Sequence, residues 1–199
     1  MPDLILTHYA LSPFSEKIRL VLGYKKLAWK SVIIPRTMPK PDLLALTGGY
    51  RRTPVLQIGA DIYCDTALIC DVLEHYQPSP TLHPPGSKGA DRIIAQWADS
   101  ILFWAAMGYS FSAAGAAFIF RDEAPEVAKA FVEDRVKMRG GASRMHPGDA
   151  ASAYKSYLRR IASIVDNQPF VTGQQPGLAD FSCYHPLWFT RRIPPLAGI

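Results

Sequence analysis

Residues 77–88 carry four prolines and a glycine, and the sequence pattern differs in kind on either side of them. Proline removes a backbone donor and fixes φ, so neither a helix interior nor a central strand runs through such a stretch. Before it, short apolar runs alternate with helical periodicity. After Gly89 only helical periodicity remains. The break reads as a linker (79–88) between a mixed α/β domain (1–78) and an all-helical domain (89–199). At 199 residues, 48% of them hydrophobic, the chain is long enough for two folded units and too apolar for global disorder.

Within the first part, Leu4-Ile5-Leu6 predicts a short buried strand. Ser12 and Pro13 then supply an N-cap serine and a proline at the first helical position, and Phe14, Ile18, Val21 and Leu22 share one helical face. Residues 29–34 predict a second strand, stopped by Pro35. A short helical piece over 41–46 ends at Gly48-Gly49. Residues 54–58 and Asp61–Cys64 form a hairpin around Gly59-Ala60, and Asp65 caps a helix running to about Tyr76. This order of elements is a thioredoxin-like layout. Beyond the linker, helices are expected over 90–111, 123–138, 149–165 and 180–189, with loops at Arg139-Gly140-Gly141 and His146-Pro147-Gly148.

The formal charge is +5, but the basic residues are scattered, with pairs at Arg51-Arg52, Arg159-Arg160 and Arg191-Arg192. Nucleic-acid binding needs a concentrated basic face or a reading motif, and the sequence holds neither. A mild positive field suits a small anionic ligand. Cys64, Cys70 and Cys183 show neither CxxC spacing nor a zinc pattern with the histidines, so no metal is assigned and a reducing compartment is expected. The chain opens directly on a strand with no basic-then-apolar leader, which makes the cytoplasm the expected location. Residues 101–120 contain no charge and are long enough to raise a membrane span. Against that, Gly108, Tyr109, Ser110, Ser112 and Gly115 dilute the run. The turns before it are amphipathic, with Ile94, Trp97, Ile101 and Leu102 opposite Arg92, Gln96 and Asp99. A buried central helix, with no membrane partner, is the expectation.

Three stretches carry a resemblance: Ser12-Pro13-Phe14-Ser15-Glu16-Lys17-Ile18-Arg19-Leu20, Arg52-Thr53-Pro54-Val55-Leu56 and Cys64-Asp65-Thr66-Ala67-Leu68-Ile69. Together with the linker and the helical second half they resemble the cytosolic glutathione transferase superfamily. The resemblance covers nearly the whole chain and is most specific in residues 4–80. The first stretch is similar to the helix-one motif of the omega and tau classes, with serine at position 12 as in tau rather than the cysteine of omega. It implies a thioredoxin-like α/β domain that binds glutathione as co-substrate, an all-helical domain for the second substrate, and a homodimer. The implied chemistry is a detoxifying conjugation of glutathione to a small electrophile, with peroxide reduction and dehalogenation next. Some relatives keep the architecture and lose turnover, so a non-catalytic binding or regulatory protein is the alternative. Gly173 and Ala179-Asp180-Phe181 resemble the family's helix-capping motif, which has serine or threonine where this chain has Gly177. The sequence stops at Ile199, where relatives continue with a further helix. Either the chain is truncated there or the second-substrate pocket lacks a wall.

Glutathione's thiol is a poor nucleophile until it ionises. A hydroxyl at the positive end of a helix stabilises the thiolate by donating to it, and the resemblance gives this role to Ser12. Taken locally, Ser12 is equally a plain N-cap, and a capping serine still keeps its proton to donate. Ser15, one turn further on, and Tyr9, near the tyrosine of other classes, are the reserve donors. Thr53-Pro54 corresponds to the family's cis-proline pair, whose backbone at Thr53 would pair with the cysteinyl part of glutathione; the alternative is a trans proline opening an edge strand. Asp65 and Thr66 correspond to the acidic-residue/serine pair. Thr66 would take the γ-glutamyl carboxylate at a helix N-terminus and Asp65 would attract the ammonium, or Asp65 is only a cap. Lys40 is a candidate for the glycyl carboxylate. Cys64 is a redox-sensitive thiol or a buried strand end. Trp104, Met107, Tyr109 and Phe111 line a second-substrate pocket or belong to the helical core.

Overall fold

A buried strand needs pairing on both edges, and β1 (Leu4–His8) has it: Leu4 and Leu6 are buried within the sheet it centres. The computed structural model describes residues 2–140 and 145–199, so Gly141 of the expected loop lies outside the described residues. β2 (Lys30–Ile33) runs parallel to β1, with Ile33 opposite His8. β3 (Val55–Ile58) runs antiparallel to β1 on its other side, and β4 (Asp61–Cys64) pairs antiparallel with β3, giving the order β2-β1-β3-β4. The parallel pair requires a crossover, which α1 (Pro13–Tyr24) supplies; β3 and β4 need only the turn at Gly59, whose φ is +62°.

α2 (Pro41–Thr47) ends at left-handed Gly48, and α3 (Thr66–Tyr76) begins on the Asp65 cap. Ile18, Val21 and Leu22 of α1 and Ile69 and Leu73 of α3 are fully buried, as are Leu6, Val55 and Leu56 of the sheet. Each such side chain contributes roughly 1.5–3 kcal/mol by leaving water. Lys25, just past α1, donates from Nζ to Glu74 (2.5 Å) and to the carbonyls of Gln77 (2.7 Å) and Pro80 (3.0 Å). That tie holds the start of the proline-rich stretch to this unit. The unit comprises Met1–Thr81 together with Ala130–Met138.

The second unit, Leu82–Lys129 with Arg139–Ile199, is helical. Its elements are α4 (Lys88–Trp97), α5 (Phe103–Ser110), α6 (Ala113–Ile119), the start of α7 (Pro125–Arg139), α8 (Pro147–Val165) and α9 (Leu178–Arg191). α5 packs on α8 and α4 on α9 around Ala98, Leu102, Ala105, Ala106, Tyr154, Ala179 and Cys183. Met107 is in this core, and Tyr109 and Phe111 pack against it, Phe111 stacking on Phe189. Trp104 is partly exposed.

Three details differ from the sequence expectation. A π-helical turn, Ala98–Leu102, joins α4 to α5. Its extra residue rotates the helix faces, so Ile101 is exposed and Asp99 turns in to accept from His185 Nε2 at 3.0 Å. α6 forms as a separate helix beyond the expected helix of residues 90–111, from the alanine-rich run after Ser112. α8 starts at Pro147, because proline suits the first helical position and His146 Nδ1 accepts from the Gly148 amide. The charge-free run 101–120 breaks near Phe111. Among the described residues no single helix is long and apolar enough to cross a membrane; Lys88–Ser110 and Ala113–Ile119 qualify by length and composition only as a pair bent by 80°.

The departure at Gly177 has a structural cause. Asp180 accepts from the Gly177 and Val171 amides, both at 2.8 Å. The buried Asp91 of α4 accepts from the Ala179 amide, also at 2.8 Å, which is the bond an N-cap hydroxyl would otherwise make. A Cβ at position 177 would lie 2.6 Å from that Asp91 oxygen. Glycine leaves room for a carboxylate cap brought from another helix.

Candidate functional site

The strand register gathers the candidate residues at one end of the sheet. The last paired positions are Thr7 with Val55 and Val55 with Cys64. Tyr9 follows the end of β1, Thr53 and Pro54 precede the start of β3, and Asp65 and Thr66 follow the end of β4, all at this same end of the sheet. The Ile34 amide donates to the His8 carbonyl at 2.9 Å, so the segment leading to Lys40 leaves from the same end. The Ser12 amide donates to the Tyr9 carbonyl at 3.1 Å, which sets the α1 N-terminus beside them. Strand ends with helix N-termini at their side are where α/β sheets bind ligands, because free amides point there.

Ser12 is buried, and its Oγ accepts from the Ser15 amide at 3.2 Å. It is therefore an N-cap whose own proton remains available. Ser15 is fully buried and its Oγ has no hydrogen-bond partner. Arg19 braces the loop before Ser12, donating to Glu16 (2.5 and 2.9 Å), to the Ala10 carbonyl (2.9 Å) and to His8 Nδ1 (3.0 Å). Because arginine only donates, His8 Nδ1 accepts and Nε2–H faces Ser31 Oγ at 2.8 Å. Burial, and then the Arg19 charge, hold the His8 imidazole below its ordinary pKa. This network escaped the sequence reading, although Arg19 stands inside the motif.

The Thr53–Pro54 peptide is cis, with Pro54 buried and Thr53 half-buried. Asp65 has φ +79° and ψ 127°, a conformation that costs an aspartate about 1–3 kcal/mol. Its Oδ1 accepts from the Ala67 amide at 2.8 Å, which offsets part of that cost. Thr66 follows, buried at the start of α3. Burial, and then Asp65, push the Cys64 thiol up, so it stays protonated and unreactive at neutral pH.

Lys40 is 5% exposed, and its ammonium lies 5.6 Å from the centre of the Tyr9 ring. Among the described residues nothing accepts a hydrogen bond from it. Its pKa is pushed down to about 8, by burial first and then by Arg135 and Arg51, with Asp134 opposing. Asp134 is buried and accepts from Arg51 Nη2, from Arg135 Nη1 (2.7 Å) and from the Met38 amide (3.4 Å). Arg135 also donates to the Arg36 carbonyl (2.8 Å) and to the Tyr9 hydroxyl (3.4 Å). Phe131 carries the guanidinium groups of Arg36 and Arg135 against its ring, at 5.0 and 4.4 Å. Arg51 Nε is buried with no hydrogen-bond partner. Arg51, Asp134 and Arg135 were not foreseen as site residues, since folding joins positions 83 residues apart; the Arg51-Arg52 pair was the one local signal. Among the described residues no cluster of histidine, cysteine, aspartate or glutamate could hold a metal.

The site thus offers two helix N-termini, a capping hydroxyl and a buried cationic group, which together suit a small anion. Residues 6–81 match the glutathione S-transferase N-terminal domain family. The solved structure of a GST-like protein from Pseudomonas syringae is 42% identical with a TM-score of 0.74, covering 100% of this chain and 62% of that one. Pyrimidodiazepine synthase of Drosophila melanogaster is 30% identical over 108 residues, 48% of this chain and 44% of that protein. FtsZ-localized protein A of Caulobacter vibrioides is 22% identical over 182 residues, 89% of this chain and 72% of that protein. The matches to the Pseudomonas and Drosophila proteins span less than two thirds of those proteins' own length.

Proposed function

For a chain that belongs to the glutathione transferase superfamily, we propose glutathione binding at this end of the sheet and attack of the activated thiol on an electrophile. The observation that carries the reading is the gathering of Tyr9, Thr53, Asp65 and Thr66 at one end of the sheet, with Ser12 capping α1 next to Tyr9. Thr66 and the α3 N-terminus take the γ-glutamyl carboxylate, and the Asp65 oxygen not used in capping attracts the ammonium. The Thr53 backbone pairs with the cysteinyl residue, past Pro54, and Lys40 takes the glycyl carboxylate. Ser12 donates a hydrogen bond from its hydroxyl to the sulfur, which favours the thiolate; Ser15 and Tyr9 are the reserve donors. The thiolate, its proton already released to solvent, then forms a carbon–sulfur bond as the electrophile's leaving group departs with the electron pair of the broken bond. In this reading the α/β part is the glutathione-binding domain of a serine-bearing, omega/tau-like transferase. The protein works as a cytoplasmic homodimer.

Conjugation assays on wild type, Ser12→Ala and Ser15→Ala test the assignment. Loss of turnover in Ser12→Ala, with Ser15→Ala active, supports Ser12 as donor; the reverse pattern moves the role to Ser15. A second reading, a non-catalytic binding protein, draws on the similarity to FtsZ-localized protein A over 89% of the chain. Glutathione binding without conjugation of any electrophile in a broad panel would favour it.

A further inference from the structure

We propose that the second substrate is itself an anion, an unsaturated or aryl carboxylate held by Arg51 beside Lys40. The proposal rests on the transferase reading and adds the class of electrophile. Lys40, Arg51 and Arg135 bring three positive charges together, and among the described residues around them Asp134 is the carboxylate that answers. Two of these cations keep donors without acceptors: the Lys40 ammonium and the buried Arg51 Nε–H. An unpaired buried cation is costly, and the fall of Lys40 to about 8 relieves only part of that cost. An arriving anion relieves the rest.

Glutathione cannot supply all of it. In the proposed pose its γ-glutamyl carboxylate goes to the start of α3 and its glycyl carboxylate to Lys40; against the three cations, Asp134 and that one carboxylate leave one positive charge in excess. The remaining negative charge then comes with the electrophile. Asp134 holds Arg51 and Arg135 through their other nitrogens, so the surplus charge is fixed in position rather than dispersed in solvent. Tyr9 and Phe131 present aromatic faces to the same cations, and this mixture of π surface and charge suits a conjugated acid better than an aliphatic one.

The test uses an activated chlorodinitrobenzoate and its methyl ester, each enzymatic rate being divided by that compound's uncatalysed rate with glutathione. In each the glutathione thiolate attacks the chlorine-bearing ring carbon; a carbon–sulfur bond forms, the carbon–chlorine bond breaks, and chloride leaves with its electron pair. The acid is expected to exceed the ester about tenfold in kcat/KM, the scale of one charge-assisted hydrogen bond. That ratio falls towards one in Arg51→Gln and is partly restored in Arg51→Lys. Equilibrium binding of the chlorine-free dinitrobenzoate and its ester to the glutathione-loaded protein reads the same preference without turnover. Thermal melts verify that both variants are folded. An ester that binds and reacts as well as the acid overturns the inference and leaves the transferase reading standing. A preference for the acid that survives in both Arg51 variants also overturns it. If glutathione itself fails to bind, the transferase reading falls and this inference falls with it.

Discussion

Serine at position 177, one of the two residues usual there in the family that the sequence resembles, is expected to destabilise this protein. The new Cβ would lie 2.6 Å from Asp91 Oδ1, 3.1 Å from Thr172 Oγ1 and 3.2 Å from Pro84 Cδ. Asp91 is the neighbour that must retreat, and its 2.8 Å bond to the Ala179 amide breaks as it does. A hydrogen bond to a charged group contributes about 1.5–3 kcal/mol. The serine hydroxyl can cap the same helix and returns about 1 kcal/mol. The net loss is about 0.5–2 kcal/mol, a fall in Tm of roughly 1–8 °C for a chain of this size. Alanine, which brings the Cβ without the hydroxyl, costs more than serine. Thermal unfolding followed by far-ultraviolet circular dichroism measures all three proteins. Pairing Gly177→Ser with Asp91→Ala isolates the clash, because the serine penalty shrinks once the carboxylate is gone. A serine variant as stable as wild type, or an alanine variant more stable than the serine one, would refute the argument.

Three further predictions rest on the packing and the charge. Because Lys40 titrates near 8, affinity for an anionic ligand falls as pH rises through that value, and titrations across pH 7–9 should show this in wild type but not in Lys40→Met. Between about 8 and the ordinary lysine range the unfolded chain keeps a proton that the folded chain has released, so ligand-free stability rises with pH across that window; urea midpoints measured there check the sign. Gly108→Ala sets a new Cβ 2.6 Å from Ala150 Cβ between α5 and α8, and overpacking costs about 1–3 kcal/mol against a helix-propensity gain of about 1 kcal/mol. Adding Ala150→Gly should restore the urea midpoint, and no recovery would place the cost elsewhere.

Local rules made much of the fold legible. Ser12-Pro13, Gly48 and Asp65 each end or begin a helix for reasons contained within a few residues, and β4 falls at Asp61–Cys64 as the hairpin pattern predicts. The π turn was not legible, because heptad-like spacing continues smoothly through Ala98–Leu102 and only packing against α9 rewards turning Asp99 towards His185. Gly177 showed as a departure without showing its cause, since Asp91 lies 88 residues away from the amide it caps. The candidate residues Tyr9, Ser12, Thr53, Pro54, Asp65 and Thr66 are scattered in sequence yet share one sheet end by strand register. The cation cluster completed by Asp134 and Arg135 depends on α7 returning to the first unit, which no local signal announces.

The central claim is a hydroxyl-stabilised glutathione thiolate at the start of α1. Calorimetric titration of glutathione into wild type and Ser12→Ala, with thiolate absorbance followed against pH, tests it most directly. The account predicts that both proteins bind glutathione and that only wild type lowers the thiol pKa. A wild type that does not bind glutathione, or a Ser12→Ala protein that lowers the pKa equally, contradicts it.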